Sequence, residues 1–152
     1  MWYTMMKPVT ASIDVPQPRE SVYEFLDVMA NHEPFTDHML VDWQYSGPPS
    51  GVGSRARVKT KLGGITDEAE IEVVEVEPGR MIRERNIGAK GKRVAHGTYE
   101  LSDLPDGGTH IQFTWALQQA PLADRALGPV LHGMLTRGNA KAMRRLAEQL
   151  PA

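Results

Sequence analysis

The sequence predicts an α+β fold in which a curved antiparallel sheet of six to seven strands wraps around a long C-terminal helix, with two short helices after the first strand. Three observations predict it. Alternating apolar and polar residues, punctuated by glycine turns, run almost unbroken from Val41 to Gln119. A short amphipathic stretch precedes them, and a long helical stripe, Pro121 to Leu150, follows. A sheet and helix in this order bury one face against each other, and such a pair can enclose a ligand-sized hollow.

Each element has its own signal. Val9, Ala11, Ile13 and Val15 alternate with Thr10, Ser12 and Asp14, the period of a half-buried strand that Pro16 ends. Pro18 then opens a helix, where Val22, Phe25, Leu26 and Met29 form one apolar stripe. Asn31 to His38 is polar and split by Pro34, which predicts a turn or a second, broken helix before a strand from Met39 to Tyr45 that carries Trp43. In the C-terminal helix, broken near Gly128-Pro129, the stripe is Val130, Leu131, Met134, Leu135, Gly138, Ala142, Leu146 and Leu150. Arg137, Lys141, Arg144, Arg145 and Glu148 take the opposite side, and the basic end suits the helix dipole.

The glycine turns make strand registers computable. A tight Gly63-Gly64 turn pairs Leu62 with Ile65, which sets Lys59 opposite Glu68, Arg57 opposite Glu70 and Arg55 opposite Glu72. These pairs share one face, the solvent side, so Thr60, Val58 and Ala56 point inward against Asp67, Ala69 and Ile71. Apolar parity stumbles at Val73-Val74, which predicts a bulge. Beyond Pro78-Gly79, pairing Glu77 with Arg80 sends Arg83, and Arg85 by alternation, into the hollow, with Asp67 and Glu84 as internal partners. After a Gly88–Gly91 loop, a strand from Lys92 to Leu104 and one from Thr109 to Gln119 align Leu101 with Ile111. That register faces Tyr99 to Phe113 and the indole of Trp115 to the bare backbone of Gly97, with Thr98 and Thr114 outside.

Composition narrows the function classes. The 152 residues suit one domain, 1–152, with 1–6 read as a loose N-terminal extension. The absence of cysteine excludes disulfide scaffolds, thiolate zinc sites and cysteine nucleophiles. A formal net charge of -2 with interleaved signs gives no general attraction to nucleic acid or anionic membranes. No apolar run approaches a membrane span, and the start lacks the marks of a secretory signal, so a cytoplasmic protein without integral membrane association is expected. Motifs for nucleotide binding, hydrolase elbows and zinc proteases are missing, and neither a cofactor nor a metal is implied.

The run V-T-A-S-I-D-V-P-Q-P-R-E-S-V-Y-E-F-L, then G-V-G-S-R-A-R-V, V-E-V-E-P-G-R-M and G-T-Y-E-L-S-D-L-P-D-G-G-T-H-I-Q-F-T, carry a resemblance over nearly the whole chain. In these motifs and element order the chain resembles the START-like helix-grip superfamily (SRPBCC), which includes the Bet v 1-like and polyketide cyclase/dehydrase families. The motifs mark turns and register, so the resemblance implies the fold and carries no catalytic residue over. It implies a hollow under the long helix that takes lipids, quinones or aromatic polyketides, with some members enzymes.

The candidate ligand-binding residues are Trp43, Thr60, Asp67, Arg83, Arg85, Tyr99, Phe113, Trp115, Leu131, Met134, Leu135 and Gly138. An inward arginine needs a partner such as a ligand carboxylate or phenolate, and aromatic residues supply a flat wall. Ala56, Ala69, Ala95 and Gly97 leave room inside. His32, Glu33, Asp37 and His38 match no metal-ligand spacing and are expected to form a solvated polar turn; His96, His110 and His132 are expected outside or at the rim. The leading expectation is a binding protein or carrier for a hydrophobic or aromatic small molecule, a monomer or homodimer. The alternatives are a cyclase or dehydratase in the same cavity, where Arg83 or Arg85 polarises a ligand carbonyl and Tyr99 or Asp67 moves a proton, and a protein-interaction or chaperone module using the charged outer ladder and the exposed helix face.

Overall fold

The computed structural model describes residues 6–62 and 65–152. Residues 1–5 of the expected N-terminal extension and the expected Gly63-Gly64 turn therefore lie outside the described residues, whereas Met6 is described and reaches the hollow between sheet and C-terminal helix. The described chain runs β1 (Val9–Val15), α1 (Arg19–Asp27), a 3-10 turn (Met29–His32), α2 (Glu33–Thr36), β2 (Leu40–Ser46), β3 (Arg55–Leu62), β4 (Ile65–Glu77), β5 (Met81–Gly88), a second 3-10 turn (Ala89–Gly91), β6 (Arg93–Asp103), β7 (Thr109–Gln119), α3 (Leu122–Ala126) and α4 (Gly128–Gln149). The strands form one antiparallel sheet in the order β1-β7-β6-β5-β4-β3-β2. The chain is thus a meander whose last strand returns to pair with its first, and α4 lies across β1 and the concave face. This is the helix-grip fold.

Two expected registers hold residue for residue. Arg55, Arg57 and Lys59 stand opposite Glu72, Glu70 and Glu68. Leu101, Tyr99 and Gly97 stand opposite Ile111, Phe113 and Trp115. The bulge in β4 also falls where the parity stumbles, since pairing with β5 jumps from Val73 to Glu75. Its extra residue bends the longest strand around the helix.

The turn after β4 differs from expectation by one residue. Glu77 pairs with Met81, not Arg80, because Pro78, Gly79 and Arg80 all belong to the turn. Gly79 sits at φ 76°, where other residues are strained, and the Arg80 amide donates to the Glu77 carbonyl at 2.9 Å. One residue of slip exchanges the faces of a strand. Arg83 and Arg85 consequently project outward to Glu75 and Glu72, and Glu84 projects inward opposite Val73 and Gly97.

The core lies between the sheet and two helical layers. Val22, Leu26 and Met29 pack from the first helix and the turn after it, Phe35 from the second helix, and Ala142, Met143 and Leu146 from α4, against Val58, Ile71, Ile82, Tyr99 and Ile111. The α4 stripe is rotated from the expected one. Val130 is 60% exposed, whereas Asn139 and Met143 are buried. Gly138 flanks the core as a contact surface, because a side chain there would run into the Met39 sulfur. The helix break falls at Leu127, and Pro129 occupies the first turn of α4, where its missing N–H is harmless.

Candidate functional site

Between the concave sheet and α4 lies a hollow of about 690 Å³. Its walls are mostly apolar, from Leu40, Val58, Leu62 and Ile71 on the sheet to Leu131, Leu135 and Ala142 on the helix. Of the sequence candidates, Trp43, Thr60, Tyr99, Phe113, Trp115, Leu131 and Leu135 line it. Asp67, Met134, Gly138, Arg83 and Arg85 do not. Met134 and Gly138 fall on the flanks of the rotated helix stripe, and both arginines sit on the outer face for the turn-length reason given above.

Of the small residues expected to leave room, Ala69 lines the hollow, Ala56 and Ala95 are buried without lining it, and the absent side chain of Gly97 leaves room for a ring. That ring belongs to Phe113, not to the cross-strand partner Trp115, because a Cβ on Gly97 would lie 3.0 Å from the Phe113 ring. Trp115 turns toward the hollow instead.

The polar part of the wall is small and buried. His32 is 3% exposed and Glu84 4%. The imidazole Nε2 lies 2.7 Å from the Leu26 carbonyl, and since a carbonyl only accepts, Nε2 carries the proton. Nδ1 is thereby left with its lone pair facing Glu84 Oε2 at 3.4 Å. Oε2 has no hydrogen-bond partner, and no arginine or lysine pairs with this carboxyl among the described residues. Burial alone pushes Glu84 up to about 8, and burial pulls His32 down to about 4 against the help of the Leu26 carbonyl. At neutral pH the contact therefore joins an uncharged acid to an uncharged imidazole. Tyr99 meets the His32 ring edge-on at 5.5 Å between centroids and is pushed up by burial and then by Glu84. Asn86, two positions along β5, also lines the hollow and holds a buried Oδ1 without a partner.

The expected solvated cluster at residues 32–38 is instead split among three places. His32 enters the core because it continues the helical phase of Leu26 and Met29. Glu33 accepts from the Tyr45 hydroxyl at 2.5 Å. Asp37 is bound by Arg145, which holds its carboxyl below the usual range, and His38 reaches the Gly138 carbonyl at 2.8 Å. Among the described residues no group of three or more His, Cys, Asp or Glu is placed to hold a metal. Of the other histidines, His96 borders a shallow groove on the outer face, His110 meets Asp14 at 2.6 Å, and His132 reaches the rim of the hollow.

At the mouth, Arg93 ties sheet to helix. Its guanidinium contacts Asp67 of β4 at 2.7 Å and Asp124 of α3 at 2.5 Å. Asp67 thus faces inward as the register requires, but it is spent on Arg93 and on the Ala89 amide rather than exposed to the hollow. No helix among the described residues is long and apolar enough to cross a membrane.

His32, Asn86 and Asn139 are among the wall residues that pattern reading missed, and Glu84, expected inside only as a partner for the arginines, lines the wall without them. A charge count held the signal for Glu84: either face of β5 puts charge inside, and one carboxyl that can be neutralised by a proton is less costly to bury than two guanidinium groups.

The same architecture recurs in solved structures. A protein of Thermus thermophilus superposes with a TM-score of 0.76 at 18% identity, over 95% of this chain and 97% of that one. The Zhui aromatase/cyclase from Streptomyces sp. R1128 gives 0.72 at 13% identity, over 95% and 93%. A Chromobacterium violaceum protein gives 0.68 at 19% identity, over 95% and 99%. Identities this low establish the fold alone. No curated protein matches the sequence. Residues 6–151 match the family model described as polyketide cyclase / dehydrase and lipid transport, and the chain belongs to that family.

Proposed function

We propose that the protein binds an uncharged hydrophobic or aromatic small molecule, of lipid, polyketide or quinone-like class, in the hollow between sheet and α4. The observation that carries this reading is the hollow itself. Its volume of about 690 Å³ lies in the range of small-molecule sites, and its apolar wall is interrupted by a few buried polar groups. Among the described residues Lys7, Arg93 and Arg125 line the hollow, none of them is buried, and Arg93 at the mouth is held by two carboxylates, which favours a ligand without charge in the buried part of the hollow. Membership of a family described by cyclase, dehydrase and lipid transport agrees with a small-molecule occupant.

Native mass spectrometry of gently purified protein tests the reading, with fluorescence titration as a second readout because Trp43 and Trp115 line the hollow. A co-purifying small molecule, or saturable quenching by hydrophobic ring compounds, is expected. A protein that carries nothing and is quenched by none of them would overturn it.

One observation favours turnover over simple carriage. Glu84 and His32 are acid and base groups held uncharged inside an apolar pocket, the condition under which proton transfer to a bound molecule is effective.

A further inference from the structure

We propose that Glu84 and His32 together interconvert the keto and enol forms of a hydrophobic ketone bound in the hollow. This deepens the cavity-binding reading and rests on it. The geometry is specific. Both side chains line the hollow and both are almost fully buried, with Nδ1 of His32 and Oε2 of Glu84 3.4 Å apart. Nε2 is committed to the Leu26 carbonyl, so the base nitrogen is the one on the Glu84 side. Oε2 makes no hydrogen bond within the chain, so its proton is available to a bound molecule.

The proton balance closes on these two groups. The protonated carboxyl of Glu84 donates to the ketone oxygen while Nδ1 of His32 takes a proton from the adjacent carbon. The C–H electron pair becomes the C=C bond, and the carbonyl π pair becomes the enol O–H bond. Glu84 is left as carboxylate and His32 as imidazolium, in contact. The imidazolium then returns its proton from Nδ1 to Oε2, and both groups are neutral again when the enol departs. No oxidant, reductant or metal enters. The starting protonation states agree, since burial holds the acid protonated and the imidazole neutral at pH 7. The Leu26 carbonyl favours the transient imidazolium, and the rings of Phe35 and Tyr99 pack beside His32.

The test uses the intact protein with β-tetralone and benzylacetone in heavy water. Proton NMR follows loss of the signal from the carbon beside the carbonyl, and quenching of tryptophan fluorescence reports occupancy. Exchange on bound ketone is expected to exceed the buffer rate by ~100-fold or more, and to fall to the buffer rate in Glu84→Gln with quenching retained. Glu84→Gln resembles the neutral acid in shape; if it does not fold, His32→Asn carries the same expectation. Both ketones bound without accelerated exchange would overturn the tautomerase inference and leave the cavity reading intact. Exchange that survives either substitution would overturn the assignment to this pair. No quenching by either ketone would count against the cavity reading, and the inference would fall with it.

Discussion

Glu84 stands directly opposite Gly97 across β5 and β6, and the missing side chain of the glycine is what leaves space for the Phe113 ring beside the carboxyl. A Cβ at position 97 would lie 3.6 Å from Glu84 Oε1 and 3.0 Å from the ring. Phe113 borders the hollow, so its ring can give way into the ligand space.

Gly97→Ala is therefore expected to act on capacity more than on stability. Phe113 should swing into the hollow, at about 1 kcal/mol of repacking cost. The affinity for a hydrophobic fluorophore should drop several-fold while the unfolding midpoint moves little. Unchanged affinity would mean that the ring yields in another direction.

Replacing Arg83 or Arg85 by Leu should leave ligand affinity unchanged. Their partners Glu75 and Glu72 lie on the solvent face, and such exposed pairs contribute about 0–1 kcal/mol. Fluorescence titration of both variants checks this, and a large loss of affinity in either would contradict the outward orientation.

Stability should fall as pH rises from about 6.5 to 8. A folded-state carboxyl pushed up from 4.5 to about 8 binds a proton that the unfolded chain has already released, so the unfolded state gains over this window. His32, lowered from 6.5 to about 4, has the opposite slope, since the unfolded chain binds its proton first as pH drops. Its contribution is present above 6.5 and is lost as pH falls toward 4. The two oppose each other between about 4.5 and 6.5, and above that only Glu84 acts. Urea unfolding at pH 6.5 and pH 8 should differ by about 2 kcal/mol, and Glu84→Gln should remove the difference. An equal slope in the variant would show that other groups titrate there.

Arg93 holds α3 to the sheet through Asp124 while Asp67 holds Arg93. Asp124→Ala removes the helix side of this tie, and should speed ligand release and raise hydrogen exchange in residues 122–127, with a global stability loss of about 1 kcal/mol. Stopped-flow displacement and exchange mass spectrometry check it. Unchanged release would show that ligands leave by another route.

The legible parts of this protein were those governed by local periodicity. Alternation in β1, β3, β6 and β7 and the glycine turns led directly to two correct registers, and with them to Thr60, Tyr99, Phe113 and Trp115 as wall residues. The illegible part was β5. Its residues Arg83 to Asn86 alternate charge with charge or with polar groups, so no apolar pattern marks the inner face. Its orientation depends instead on whether Arg80 belongs to the strand or to the turn.

By itself, then, the sequence determined the α+β class, the strand order implied by successive hairpins, and a helix with one apolar side. These follow from propensities and spacings within a few residues of each other. Only the tertiary structure decided which charge was turned inward and what met it. His32 and Glu84 are brought together by the docking of the short helical segment onto the sheet, and burial then sets their protonation. Contact and desolvation are properties of the packed molecule, and no local pattern encodes them.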